Sequence, residues 1–167
     1  MRILLKDVRL LDIESLVDIF IEGSKIRGIR KNIEEHDLDF KLYVDGKIAT
    51  PPLTLTYREK ISDIPTLSEI LKSGIKGGYT TFIFPYIAEE IDLEEVEKLF
   101  NRTYAKRLSL GEGDISPLSK SKTLKVDEEA SLVVWDTQRY IEGFFYIPYL
   151  VISKGKIILR EGKTIFI

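Results

Sequence analysis

The chain contains no cysteine and one histidine, His36. Without cysteine there are no disulfides and no thiolate metal sites. With one imidazole, a catalytic zinc site, which takes about three protein ligands, cannot be built from histidines. An all-carboxylate Mg²⁺ site stays open in principle, but the acidic runs Glu34-Glu35 and Asp127-Glu128-Glu129 read as solvated turns. His36, in the polar stretch "NIEEHDLDF", reads as an exposed loop histidine. No apolar run approaches the roughly 18 residues of a membrane span. Residues 1 to 11 alternate charged and apolar positions and lack the apolar core of a signal peptide. The expected location is therefore the cytoplasm. The charge has no dominant sign, with a formal net of -2, so neither nucleic acid nor an anionic membrane is an expected partner.

What is present suffices for a packed core. Of the 167 residues, 44% are hydrophobic and 31% charged, which fits one domain, or one with a small annex. Abundant Ile, Glu and Lys without Cys is a composition seen in thermophiles. The first third reads as short strands and turns. "RILLKDVRLLD" predicts a strand pair. "LVDIFIEG" and "KIRGIRKNI" flank a two-residue Gly23-Ser24 turn. "KLYVDGKIAT" adds a strand with Asp45-Gly46 at its turn, stopped by Pro51-Pro52.

The middle third changes period. Thr66 and Glu69 have capping-box spacing, and Leu67, Ile70, Leu71 and Ile75 fall on one helical face. Gly77-Gly78 ends that helix. "YTTFIF" reads as a strand stopped by Pro85. Asp92 and Glu95 repeat the capping pattern, and Leu93, Val96, Leu99, Phe100 and Tyr104 line a second helix. Residues 54 to 108 thus read strand, helix, strand, helix. The last third returns to strands: "ASLVVWD", then "YLVISKGKIILREGKTIFI" with turns at Lys154-Gly155 and Glu161-Gly162. The aromatic run from Tyr140 to Tyr149 reads as a half-buried strand or an interface.

The order of these pieces resembles the cyclic amidohydrolases, specifically dihydroorotase and its close relatives. The resemblance rests on "ILLKDVRLLD…DIFIEGSKIRGI…VDGKIATPPL", then "TLTYRE", then "SEILKSGIKGGYTTFIFP", and finally "EEASLVVWD" with "VISKGKIILREG". It implies an α+β chain in which both ends, residues 1–53 and 118–167, form a β-sandwich. Residues 54–117 would be a short βαβα insert in place of the family's metal-bearing (β/α)₈ barrel.

The departures from that pattern bear on function. Where the family carries His-x-His metal ligands, this chain has Thr54 and Thr56, and a threonine hydroxyl is a poor ligand beside imidazole. The family's remaining ligands and its catalytic aspartate come from later barrel strands. A full barrel takes about 250 residues, far more than the insert supplies. The motif arginine, which in the family helps hold a substrate carboxylate, is retained as Arg58. The neighbouring asparagine position is Tyr86. Arg58 is read either as a substrate-binding residue or as an ion-pair or surface residue, with Glu59 or Asp63 as partners. Gly77-Gly78-Tyr79-Thr80-Thr81 is not a phosphate loop, because the glycines precede a strand rather than open a helix.

The function expected from these residues is that of a catalytically inactive dihydroorotase-like protein, with no cofactor and a structural or interaction role. The alternatives are a small-molecule binding module and a hydrolase with a remodelled, metal-free site. No nucleophile–base pair supports the hydrolase. The resemblance implies a link to pyrimidine biosynthesis, with a full-length dihydroorotase or aspartate transcarbamoylase as partner. A homo-oligomer is expected because Leu55, Phe82, Phe84, Tyr86 and Phe100 would otherwise form an open apolar face.

Overall fold

The computed structural model describes residues 1–108, 123–141 and 145–165. The chain is a mixed α+β protein, rich in sheet, with two helices among the described residues. β1 (Arg2–Val8) and β2 (Val17–Glu22) pair antiparallel. The stretch expected as a strand pair is thus one strand followed by a turn. Asp7, at φ +59, sits where the β1–β2 register shifts between Leu5 and Val8, as in a bulge. Gly23, at φ +62, turns β2 into β3 (Lys25–Arg30). β4 (Phe40–Tyr43) lies parallel to β1 and completes a sheet of order β3-β2-β1-β4. Asp45 and Gly46 both have positive φ, the geometry of a tight turn. The chain then leaves that sheet, and β5 (Ile48–Thr50) pairs with β9 in another.

The insert is a parallel α/β unit. It runs β6 (Leu53–Thr56), α1 (Ile64–Lys76), β7 (Tyr79–Ile83), α2 (Leu93–Thr103) and β8 (Lys106–Leu108), with sheet order β6-β7-β8. The third strand was not expected, because three residues carry almost no periodicity. The caps also differ from expectation. Asp63, not Thr66, caps α1, its carboxylate accepting from the Thr66 N–H at 2.8 Å. Asp92 caps α2 as expected, but its carboxylate accepts from Glu94 N–H at 2.9 Å. Leu93 is exposed, and Tyr104 is the left-handed C-cap at φ +56, so neither joins the buried stripe of Val96, Leu99, Phe100 and Thr103.

The C-terminal strands β9 (Leu132–Ile141), β10 (Phe145–Ser153), β11 (Lys156–Arg160) and β12 (Lys163–Thr164) form a sheet of order β12-β11-β10-β9-β5. Apart from β5, each large sheet comes from one end of the chain. The two share a core, in which Ile3, Leu5, Ile19 and Ile21 meet Leu132, Val134, Leu150 and Ile152. The alternate residues Val133, Val151 and Ile158 join a second core with Leu67, Leu71 and Ile75 of α1 and Phe82 of β7. The middle sheet is therefore covered on both faces. This is why "LVV" and "LVI" read as continuous apolar runs rather than as alternations.

That layering corrects the expected open face. Phe82, Phe84 and Phe100 are buried within the chain, and Leu55 is partly buried. Of the five residues, Tyr86 is the exposed one. The boundary at 117–118 falls outside the described residues. So do the side chains of the Tyr140–Tyr149 run up to Tyr146.

Candidate functional site

The resemblance places a site at the carboxyl ends of β6 and β7, and the structure shows what occupies those ends. Thr56, the last residue of β6, is exposed. Tyr57 continues the strand direction, its N–H donating to the Ile83 carbonyl at 3.0 Å. Its ring lies 6.1 Å from that of Phe84, which in turn packs against Phe82 and Phe100. Beyond them, Ile61 N–H donates to the Tyr86 carbonyl and Ala88 N–H to the Ile61 carbonyl, both at 2.9 Å. Ile61 itself is fully buried. These rings belong to the core shared with α1 and α2, on the face of the sheet opposite the one that bears Thr54 and Thr56.

The polar groups there are few. Tyr57 donates its hydroxyl to Glu59 Oε2 at 3.2 Å. Burial first, and the Glu59 carboxylate next, push the Tyr57 phenol above its ordinary value. Asp63 is committed to the helix cap, and the Thr66 N–H holds its carboxyl below the usual range. Arg58 is exposed and forms no ion pair among the described residues, with neither Glu59 nor Asp63. His36 is exposed and lies between β3 and β4. Glu35 is not a free solvated residue, since Arg2 Nη2 donates to it at 2.9 Å. Among the described residues no group of three His, Cys, Asp or Glu is placed to hold a metal ion.

Thr54 and Thr56, two apart on β6, share one face of the strand. Thr54 is half-buried and pairs with Thr81, which pairs with Lys106, so the three form one rung across β6, β7 and β8. Side chains on such a rung are about 4.8 Å apart and share a face. The rung borders a cavity of about 420 Å³ at the amino-terminal ends of the strands, whose opposite wall carries Glu128, Glu129 and Ser131. No local pattern in the chain signals this grouping. Lys106 stands on the unexpected strand, and the Asp127-to-Glu129 run read as a turn far along the chain. On the other side of β6, Leu55, Tyr57, Ile70 and Tyr79 line an apolar groove beside an unpaired strand edge.

No family model matches the chain, and no curated protein matches it. Solved structures do. The chain is similar to the atrazine chlorohydrolase of Arthrobacter aurescens TC1 complexed with zinc, with a TM-score of 0.51 at 15% identity over 64% of this chain and 35% of that one. It is also similar to a beta-aspartyl dipeptidase from Fervidobacterium islandicum AW-1, with a TM-score of 0.47 at 12% identity over 65% and 32%. A third is an N-isopropylammelide isopropylaminohydrolase from Burkholderia multivorans, with a TM-score of 0.44 at 16% identity over 65% and 37%. These are amidohydrolase-superfamily enzymes. The chain spans about a third of their length. At such identities the likeness concerns the fold alone.

Proposed function

We propose that the chain is a non-catalytic, dihydroorotase-like protein that keeps part of an amidohydrolase scaffold and serves a structural or interaction role. In this reading the two large sheets correspond to the family's composite β-sandwich. The unit β6-α1-β7-α2-β8 is what remains of the barrel. The observation that carries the reading lies on β6, where the face that bears the motif positions offers hydroxyls in place of imidazoles. Threonine stands at both ligand positions of the motif, and Arg58 is left exposed. A hydrolytic site needs a polarising group and a base, and two threonine hydroxyls supply neither.

The interaction role finds support at β6. It is an edge strand, Leu53 on it is 42% exposed, and an apolar groove runs beside it. Open edges favour pairing with another strand. A second copy meeting edge to edge about a two-fold axis is the simplest partner. The pyrimidine-pathway partners rest on the resemblance alone.

The test combines metal analysis of the purified protein with an assay of dihydroorotate hydrolysis, run with and without added zinc. No turnover and no stoichiometric zinc are expected. Zinc at one equivalent with turnover abolished by Arg58→Ala would overturn the reading.

A further inference from the structure

The cavity at the amino-terminal ends of the parallel strands holds opposed charges that do not reach one another. Lys106, half-buried on one wall, forms no ion pair with Glu128 or Glu129 on the other. On the lysine's wall stand Thr54, Thr80 and Thr81. Thr80 is 2% exposed and Thr81 9%. Thr80 is the extra residue where the β6–β7 register shifts between Leu53 and Thr54, which brings two consecutive threonines to the cavity. Neither hydroxyl has a hydrogen-bond partner among the described residues. Nor does either belong to the buried unsatisfied groups, so both open to the cavity rather than to packed protein. On the facing wall, Ser131 Oγ donates to Glu129 Oε2 at 3.0 Å and itself accepts from the Lys154 N–H at 3.0 Å. The Glu129 carboxylate is therefore held in place before any ligand arrives.

We propose that this cavity binds a small zwitterion, a molecule carrying one carboxylate and one ammonium group. Its carboxylate takes charge-assisted hydrogen bonds from Lys106 and the threonine hydroxyls, and its ammonium group lies against Glu128 and Glu129. A simple anion would meet two carboxylates across the cavity, and a simple cation would leave the lysine wall unpaired. Only a ligand with both charges complements both walls. The volume of about 420 Å³ suits a small organic molecule. The site lies at the strand ends opposite to those where (β/α) barrels carry out chemistry. It is therefore distinct from the Arg58 end and independent of whether that end hydrolyses anything.

The test uses glycine, β-alanine and 4-aminobutyrate, which bear the same two charges at increasing separation, with butyrate and butylamine as single-charge controls. Calorimetry and amide shifts of the labelled protein give two readouts. One member of the series is expected to bind and to move the amides of Thr81, Lys106 and Ser131. Lys106→Met, the Glu128→Gln/Glu129→Gln pair and each single-charge control are expected to weaken binding by about ten-fold or more. Thr54→Val, which keeps the side-chain shape, is expected to weaken it by roughly three-fold and carries the test should Lys106→Met fail to fold. The proposal is overturned if no amino acid of the series moves those amides. It is equally overturned if butyrate binds as tightly as the best of them, or if folded Lys106 and Thr54 variants retain full affinity.

Discussion

The ring of Phe82 lies so close to Gly74 that a Cβ there would fall 2.5 Å from its Cε1 atom. This contact seats α1 on β7 and brings the helix between the parallel sheet and the C-terminal sheet. Alanine would normally favour a helix interior over glycine by about 1 kcal/mol. Here overpacking is the larger effect, and Gly74→Ala is expected to destabilise by about 1–3 kcal/mol in urea unfolding. Phe82→Leu should recover part of that loss in a double-mutant cycle. Simple additivity of the two changes would show that the contact does not limit packing.

Asp18 is a buried carboxylate with a full set of partners. Lys6 Nζ donates to it, as do the N–H groups of Asp7 at 3.1 Å and Ile33 at 3.0 Å. Burial pushes its pKa up, but the hydrogen bonds from Lys6, Asp7 and Ile33 outweigh burial and leave it below the usual range. The hydrogen bond to Asp18 raises Lys6. The Asp18 contribution to stability is therefore fully present above the unfolded pKa of about 3.9, and is lost as pH falls through the lower folded value. The Lys6 contribution is fully present below about 10.4, and is lost as pH rises through the higher folded value. Asp18→Asn is expected to cost about 3 kcal/mol at neutral pH. The gap to the parent protein should stay level through the neutral range and narrow below about pH 4. A gap that does not change with acid would refute the assignment.

Gly155 and Gly162 separate two effects. Both have left-handed backbone, at φ +78 and +81. A Cβ at Gly162 meets nothing within 4 Å, whereas one at Gly155 would fall 1.8 Å from the carbonyl oxygen of Gly23, where the β10–β11 turn meets the β2–β3 turn. Gly162→Ala should cost about 1 kcal/mol, the conformational penalty alone. Gly155→Ala should cost at least about 2 kcal/mol more, because the backbone clash forces the two hairpins apart. Equal melting temperatures for the two variants would contradict this.

The proposed interaction role makes a prediction about mass. Light scattering at micromolar concentration should give a species heavier than the 19.2 kDa of one chain. Leu53→Lys on the β6 edge should return it to a single chain without unfolding it, since edge lysines block strand pairing. A clean single-chain mass for the parent protein would remove the self-association part of the proposal.

The sequence by itself determined the elements that local physics controls. The Gly23-Ser24 and Asp45-Gly46 turns, the Asp92 cap, the Leu67-Leu71-Ile75 stripe and the glycine stop after Lys76 all depend on neighbours within a few residues. It also determined the absence of imidazole and thiolate ligands at Thr54 and Thr56. Only the tertiary structure decided what lies far apart in the chain. The β5 strand crosses to the other sheet because Ala49 is buried against β9, which no local pattern records. The three-residue strand β8 exists because β7 offers it an edge, not because of its own propensity. Phe82, Phe84 and Phe100, expected to lie open, are covered by α1, α2 and the outer face of the C-terminal sheet, since burying them within the chain removes the same apolar surface from water as a partner would. The cavity joins residue 54 to residue 129 through strand register. Register is a property of the assembled sheet, so a reader of the chain alone sees a threonine, a lysine and a glutamate with nothing to connect them.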